Sequence, residues 1–132
     1  MNFKATEQQQ KATEVTDFTA TFETIKIAQI TLSGELDGST ANDFKKKVEE
    51  AAATNPTKLV FMMQGLTFMA SAGLRILIFA KQKMGTDVDI YMIGVQDTVK
   101  ETIKKTGFDQ SVYLLDKVYL LDKDEYEKEI EA

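Results

Sequence analysis

The stretch that most restricts how this chain can fold runs from Leu59 to Ala80. Leu59 to Met63 is an unbroken apolar run, the pattern of a central strand covered on both faces. A turn of mostly small residues follows, Phe68-Met69-Ala70-Ser71-Ala72-Gly73-Leu74-Arg75. Then Leu74, Ile76, Leu77, Ile78, Phe79 and Ala80 predict a helix buried around much of its circumference, closed by Lys81, Lys83 and Gly85. A strand feeding a helix through a short turn is the repeating step of an α/β fold, so the question is whether the rest of the chain repeats it.

It does. Phe18, Ala20 and Phe22 alternate with Thr19, Thr21 and Glu23, which is the period of a half-buried strand. Ile25 and Ile27 carry the alternation on, and Ile30 and Leu32 fall on the opposite parity to them. This predicts a second strand, antiparallel to the first, with a bulge or turn between them. A loop is expected over Ser33-Gly34-Glu35-Leu36-Asp37-Gly38. The next helix is capped by Ser39, or by Thr40 in a capping box with Asp43, and carries an apolar stripe of Ala41, Phe44, Val48, Ala51 and Ala52. Asn55-Pro56 ends it. Val88 to Ile93 reads as a strand, and Asp97 begins a short helix with Val99 and Ile103, stopped by Gly107. Val112 to Leu115 reads as a last short strand. Asp122 or Asp124 starts a terminal helix with Tyr126 and Ile130 turned inward. The expected architecture is α/β: a mostly parallel central sheet of about five strands, an antiparallel N-terminal strand pair, and about four covering helices. Residues 1–17 are polar and read as a flexible tail, leaving 18–132 as a single domain.

Composition removes several kinds of chemistry. The 132 residues include no histidine and no cysteine. That excludes histidine phosphorelay, Ser-His-Asp and Cys-His catalysis, and ordinary zinc sites. A net charge of −5 disfavours broad attraction to nucleic acid or anionic membrane. No apolar run is long enough to cross a bilayer, and no phosphate-binding loop ends in Gly-Lys-Ser/Thr. Glu35 and Asp37 could be paired carboxylates, but no third ligand or base accompanies them, and a polar loop leading to a helix cap is the simpler reading. Lys45, Lys46 and Lys47 read as a solvated helix face. Asp122-Lys123-Asp124 lacks the glycine and ligand spacing of a calcium loop. No cofactor, metal or enzymatic activity is expected, and the chain is expected to be a cytoplasmic protein.

The serine in the central turn is the best candidate for chemistry. At the start of a helix, unpaired N–H groups and the positive end of the dipole favour an anion, and the obvious one is phosphate on Ser71 itself. Gly73 beside it admits either close approach of a partner or tight packing of helix on sheet. Met62 and Met63 are expected to fill core, with Met69 approaching the surface.

Three short motifs resemble those of STAS domains, the fold of bacterial anti-sigma factor antagonists. Gly34-Glu35-Leu36-Asp37 resembles the family's loop before its first helix. Ser71, Gly73 and Leu74 match its phosphoacceptor turn, and Thr106-Gly107-Phe108 resembles the end of its third helix. The likeness runs from about residue 18 to 120. It departs at Ala70, where the family usually has aspartate, at Ala72, commonly serine or threonine, and at Met62, often Asp or Asn.

The resemblance implies a partner-switching regulator. An unphosphorylated form binds an ATP-dependent serine kinase of the anti-sigma type, phosphorylation of Ser71 releases it, and a PP2C-type phosphatase restores it. Partner contact is then expected at Asp37, Gly38 and Ser39 and at Met69, Ala70, Ala72, Gly73, Leu74 and Arg75, on a monomeric protein that is substrate and switch. Two other readings stand beside it: a constitutive scaffold that does not switch at Ser71, and a binding module for an apolar small molecule at a Met-lined, carboxylate-free site.

Overall fold

The structure, a computed structural model, describes residues 18–117. Its elements are β1 (Ile27–Leu36), α1 (Ala41–Ala52), β2 (Lys58–Met69), α2 (Ser71–Met84), β3 (Asp89–Ile93), α3 (Asp97–Thr106), a short 3-10 turn (Phe108–Ser111) and β4 (Tyr113–Leu115). The strands form one sheet in the order β1-β2-β3-β4, and every neighbouring pair is parallel. Each crossover therefore steps one strand in the same direction. Right-handed crossovers of that kind place all their helices on the same face of a sheet. The packing agrees: Phe44 and Val48 of α1, Leu77 and Ala80 of α2, and Val99 and Ile103 of α3 join Leu59, Phe61, Met63, Ile90 and Met92 in one core. Phe44 meets Phe61 edge-on, with ring centroids 5.7 Å apart.

The strand–helix alternation is as expected, but the opening pair is not. Residues 18–26 form no strand, and Phe18 and Phe22 are 77% and 89% exposed. A single strand, β1, carries Ile27 together with Ile30 and Leu32 of the opposite parity. Ile27 faces one side of the sheet, whereas Ala28, Ile30 and Leu32 pack toward the helices, in unbroken register with Lys58 to Met62. The change of parity therefore marks two faces of one strand, and the irregularities fall later, between Thr31 and Ser33 and between Gly34 and Glu35. The sheet has four strands among the described residues in place of the expected five, with no antiparallel pair, and three α-helices in place of four. The terminal helix expected from Asp122 or Asp124, and the polar segment 1–17, lie outside the described residues.

The loop expected from Ser33 begins only after Leu36, because β1 and β2 stay paired far beyond the apolar run. Ser33 pairs with Gly65, Glu35 with Phe68 and Leu36 with Met69. Gly65 makes this possible, since a Cβ there would come within 2.9 Å of the Ser33 Cβ. By contrast β3 pairs with β2 only over Lys58 to Met62. Residues 63–69, more than half of β2, thus project past the β3 pairing and carry the central turn with them.

Candidate functional site

Two turns lie side by side at the far end of β1 and β2. The pairing of Leu36 with Met69 brings them together, and the Ala70 N–H donates to the Leu36 carbonyl at 2.8 Å. The β1–α1 loop is therefore the immediate neighbour of the turn that holds Ser71.

The β1–α1 loop is organised by its own polar side chains. One carboxylate oxygen of Asp37 accepts from the Ser39 N–H at 2.9 Å and from the Ser39 hydroxyl at 2.7 Å. The Asp37 N–H donates to Thr40 Oγ1 at 2.9 Å, and that hydroxyl donates to the Glu35 carbonyl at 3.1 Å. The Ser39 hydroxyl first and its N–H next, with smaller help from the Thr40 N–H and hydroxyl, hold the Asp37 carboxyl below its ordinary pKa by favouring the charged form. Thr40 occupies the N-cap position of α1 but makes no side-chain cap bond, so neither Thr40 nor Ser39 caps as the spacing suggested. Both hydroxyls are used within the loop, and Asp37 is its organiser.

The β2–α2 turn is built the opposite way. Ala70 is the N-cap residue, in extended geometry with φ −88° and ψ 171°, and no side chain caps the helix. Ser71 is the first helical residue rather than a cap. Its side chain is exposed, and none of the hydrogen bonds among the described residues uses its hydroxyl. The first N–H groups of a helix have no acceptor within it, and the first turn of α2 carries no acidic side chain. Shape is set from beneath by packing. A Cβ on Gly73 would come within 2.6 Å of Leu36 Cγ, 2.7 Å of its Cδ2 and 3.1 Å of Met69 Cγ. Tight seating of α2 against the end of β1 is thus the role the structure gives Gly73.

The sequence-derived site residues therefore divide by exposure. Gly38, Ser39, Ser71 and Arg75 are exposed, and Asp37, Ala70 and Ala72 partly so. Met69, Gly73 and Leu74 are buried and shape the turn from below. Met69 does not approach the surface as expected, because the prolonged β1–β2 pairing turns it into the core. Met63 is core, and Met62 lies on the opposite side of the sheet from it, so no methionine-lined pocket forms here. A groove of about 270 Å3 runs between β1 and α1 along Leu32, Leu36, Phe44 and Leu66, and Ser71 does not line it. Sequence reasoning missed Phe68, which is 48% exposed beside the turn. The signal was its place past the end of the apolar run, legible only once β2 is known to extend that far.

Among the described residues, no group of three or more acidic side chains could hold a metal, and no helix is long and apolar enough to cross a membrane. The fold and the paired turns define a small parallel α/β domain that presents an unengaged serine at a helix start. The STAS domain profile matches residues 19–121, and the chain belongs to that family. The anti-sigma-F factor antagonist RsfB of Mycobacterium tuberculosis is 30% identical over 88 residues, 67% of this chain and 72% of that protein. Two solved structures share the fold. An anti-sigma factor antagonist from Mycobacterium paratuberculosis superposes with a TM-score of 0.66 at 24% identity, covering 74% of this chain and 83% of that one. The anti-sigma factor antagonist SpoIIAA in its unphosphorylated form gives 0.64 at 18% identity, covering 79% and 92%.

Proposed function

We propose that this protein is an anti-sigma factor antagonist that switches partners through Ser71. The observation that carries the reading is the exposed Ser71 hydroxyl, engaged in no bond among the described residues, at the head of α2 beside a rigid loop. A kinase needs an accessible acceptor, and phosphorylation there costs no internal hydrogen bond. The product carries about −1.5 to −2 charges and three acceptor oxygens, enough to open an interface closed over a neutral patch. The RsfB relative is named as an antagonist of an anti-sigma factor, and SpoIIAA is described in an unphosphorylated form, which implies a phosphorylated counterpart. On this reading the unphosphorylated chain binds an anti-sigma-type serine kinase in the cytoplasm, across Asp37 to Ser39, Ala70 to Ala72 and Arg75. Phosphate releases it, and a PP2C-type phosphatase resets the switch. The protein is the substrate and not the catalyst.

The test is a quantitative pull-down from native lysate with wild-type, Ser71→Asp and Ser71→Ala baits, alongside a search for the phosphopeptide containing Ser71. The expected result is a serine kinase captured by wild type and Ser71→Ala but lost by Ser71→Asp. A second reading, a constitutive adaptor, draws on Ala70, which leaves the turn without the acidic neighbour usual in the family. Equal capture by all three baits, with no phosphopeptide, would establish that version instead.

A further inference from the structure

The buried face of α2 fixes which of its residues look outward. Gly73, Leu74, Leu77 and Ala80 are buried, whereas Ser71, Arg75, Ile78 and Gln82 are exposed. At 3.6 residues per turn those four share one stripe along the helix. Ser71 and Arg75 are therefore neighbours one turn apart, about 5–6 Å between Cβ atoms. Helical side chains lean toward the N-terminus, so a long side chain at Arg75 covers the turn that Ser71 begins. Arg75 is also uncommitted: it has no ion pair, hydrogen bond or ring contact among the described residues. The first turn of α2 has no acidic side chain to engage it, and the carboxylate of the adjoining loop, Asp37, is occupied by Ser39. Lys45 of α1 sits instead over the Phe79 ring, 5.1 Å from its centroid. Phe79 is about 12 Å along the helix axis from Ser71.

We propose that Arg75 is the residue that takes up the phosphate of phosphorylated Ser71, within the same chain. This rests on the reading of Ser71 as a phosphoacceptor and adds what the phosphate then does. A guanidinium meets a phosphate through two parallel N–H···O bonds, a fork that lysine lacks. The anion stands N-terminal to the cation at a spacing of four residues, the order that stabilises a helix. Pairing alters the exposed stripe twice over. Phosphate brings about −1.5 to −2 charges, and the positive charge of Arg75 is withdrawn from any partner it served. The stripe passes from one free cation to a net negative patch. A partner carboxylate that met Arg75 loses its counter-charge and faces an anion in the same event.

The test uses the full chain with phosphoserine inserted at position 71 during translation, which requires no kinase. Phosphorus NMR follows the second ionisation of the phosphate as pH is varied. A guanidinium beside the phosphate favours the dianion, so Arg75→Gln should raise the midpoint by about 0.4 pH unit. Arg75→Lys keeps the charge and should recover at least half of that shift, and Lys45→Gln should leave the midpoint where it is. Glu35, Asp37 and Asp43 on the neighbouring elements are common to every variant, so their influence cancels in the comparison. An unchanged midpoint in Arg75→Gln overturns the proposal. So does a rise in Arg75→Lys as large as in Arg75→Gln, or a rise in Lys45→Gln that matches it. Far-UV circular dichroism verifies that each variant is folded, and Arg75→Met replaces Arg75→Gln if it is not. The two readings fail separately: absence of the Ser71 phosphopeptide in cells removes the switch but not the pair, and a flat midpoint removes the pair but not the switch.

Discussion

The two turns at the end of β1 and β2 do the same job by contrary means. Both follow a parallel strand and both launch a helix, and a single backbone bond joins them. In the β1–α1 loop the side chains of Asp37, Ser39 and Thr40 are all spent: Asp37 holds Ser39, and Thr40 links the Asp37 N–H to the Glu35 carbonyl. In the β2–α2 turn the polar side chain is spare, and buried Leu36, Met69 and Gly73 set the geometry. The difference separates recognition from modification. A loop tied by hydrogen bonds holds one shape for a partner, whereas a turn shaped by packing leaves its hydroxyl available for chemistry without loss of structure.

The contrast breaks most directly at Gly73. An alanine in an exposed helix interior would gain about 1 kcal/mol over glycine. Here its methyl group would press on the buried Leu36 side chain, and overpacking of this kind costs about 1–3 kcal/mol. Gly73→Ala should therefore lower stability in urea unfolding, and Leu36→Ala in the same chain should show strong coupling to it. Next is Thr40→Val, which keeps the shape and removes the Thr40 hydroxyl's links to the Asp37 N–H and the Glu35 carbonyl, at an expected cost of about 1 kcal/mol.

Acid sharpens the contrast further. Because the Asp37 carboxyl sits below its ordinary pKa when folded, its stabilising effect is complete above the ordinary carboxylate value and fades as pH falls through the lowered one. A titration by NMR should place the Asp37 midpoint below that of a free aspartate, and Ser39→Ala should move it upward. Asp37→Asn should flatten the acid limb of the stability curve. The smallest effect belongs to Ser71→Ala, expected to leave stability within about 0.5 kcal/mol of wild type, since the hydroxyl binds nothing within the described fold. A loss well above that would give Ser71 a structural duty and remove the contrast between the two turns.

These particulars also mark what the sequence makes legible. Ala41 to Ala52 and Asp97 to Thr106 announce themselves through spacing, and Gly107 takes the left-handed conformation expected of it, with φ 79°. The serine turn and its glycine stand out because small residues between two apolar elements have few other uses. Strand ends are less visible. Alternation from Phe18 to Phe22 states that one side is apolar but not that a partner strand is present, and here those side chains stay exposed. The extension of β2 to Met69 is equally hidden, because it depends on Gly65 fitting against Ser33, a contact between residues far apart along the chain. Met69, expected near the surface, is buried for that reason, and Phe68 is left half-exposed.

The overshoot of β2 past β3 has a mechanical meaning. From Gln64 onward the strand is laddered to β1 alone, and on its other side the Gln96 side chain reaches the Gln64 carbonyl at 2.7 Å in place of a strand. Ser71 is thus mounted on a cantilever: anchored in a sheet at its root, and at its tip laddered along one margin and met on the other by side chains, with Thr98 donating to the Thr67 carbonyl at 3.5 Å. Backbone amides between Gln64 and Met69 should exchange with solvent sooner than those between Leu59 and Met62, which have neighbours on both sides. A partner that clamps this tip restrains motion the rest of the sheet does not have, so binding would be felt as slowed exchange along the outer part of β2, well beyond the atoms it touches.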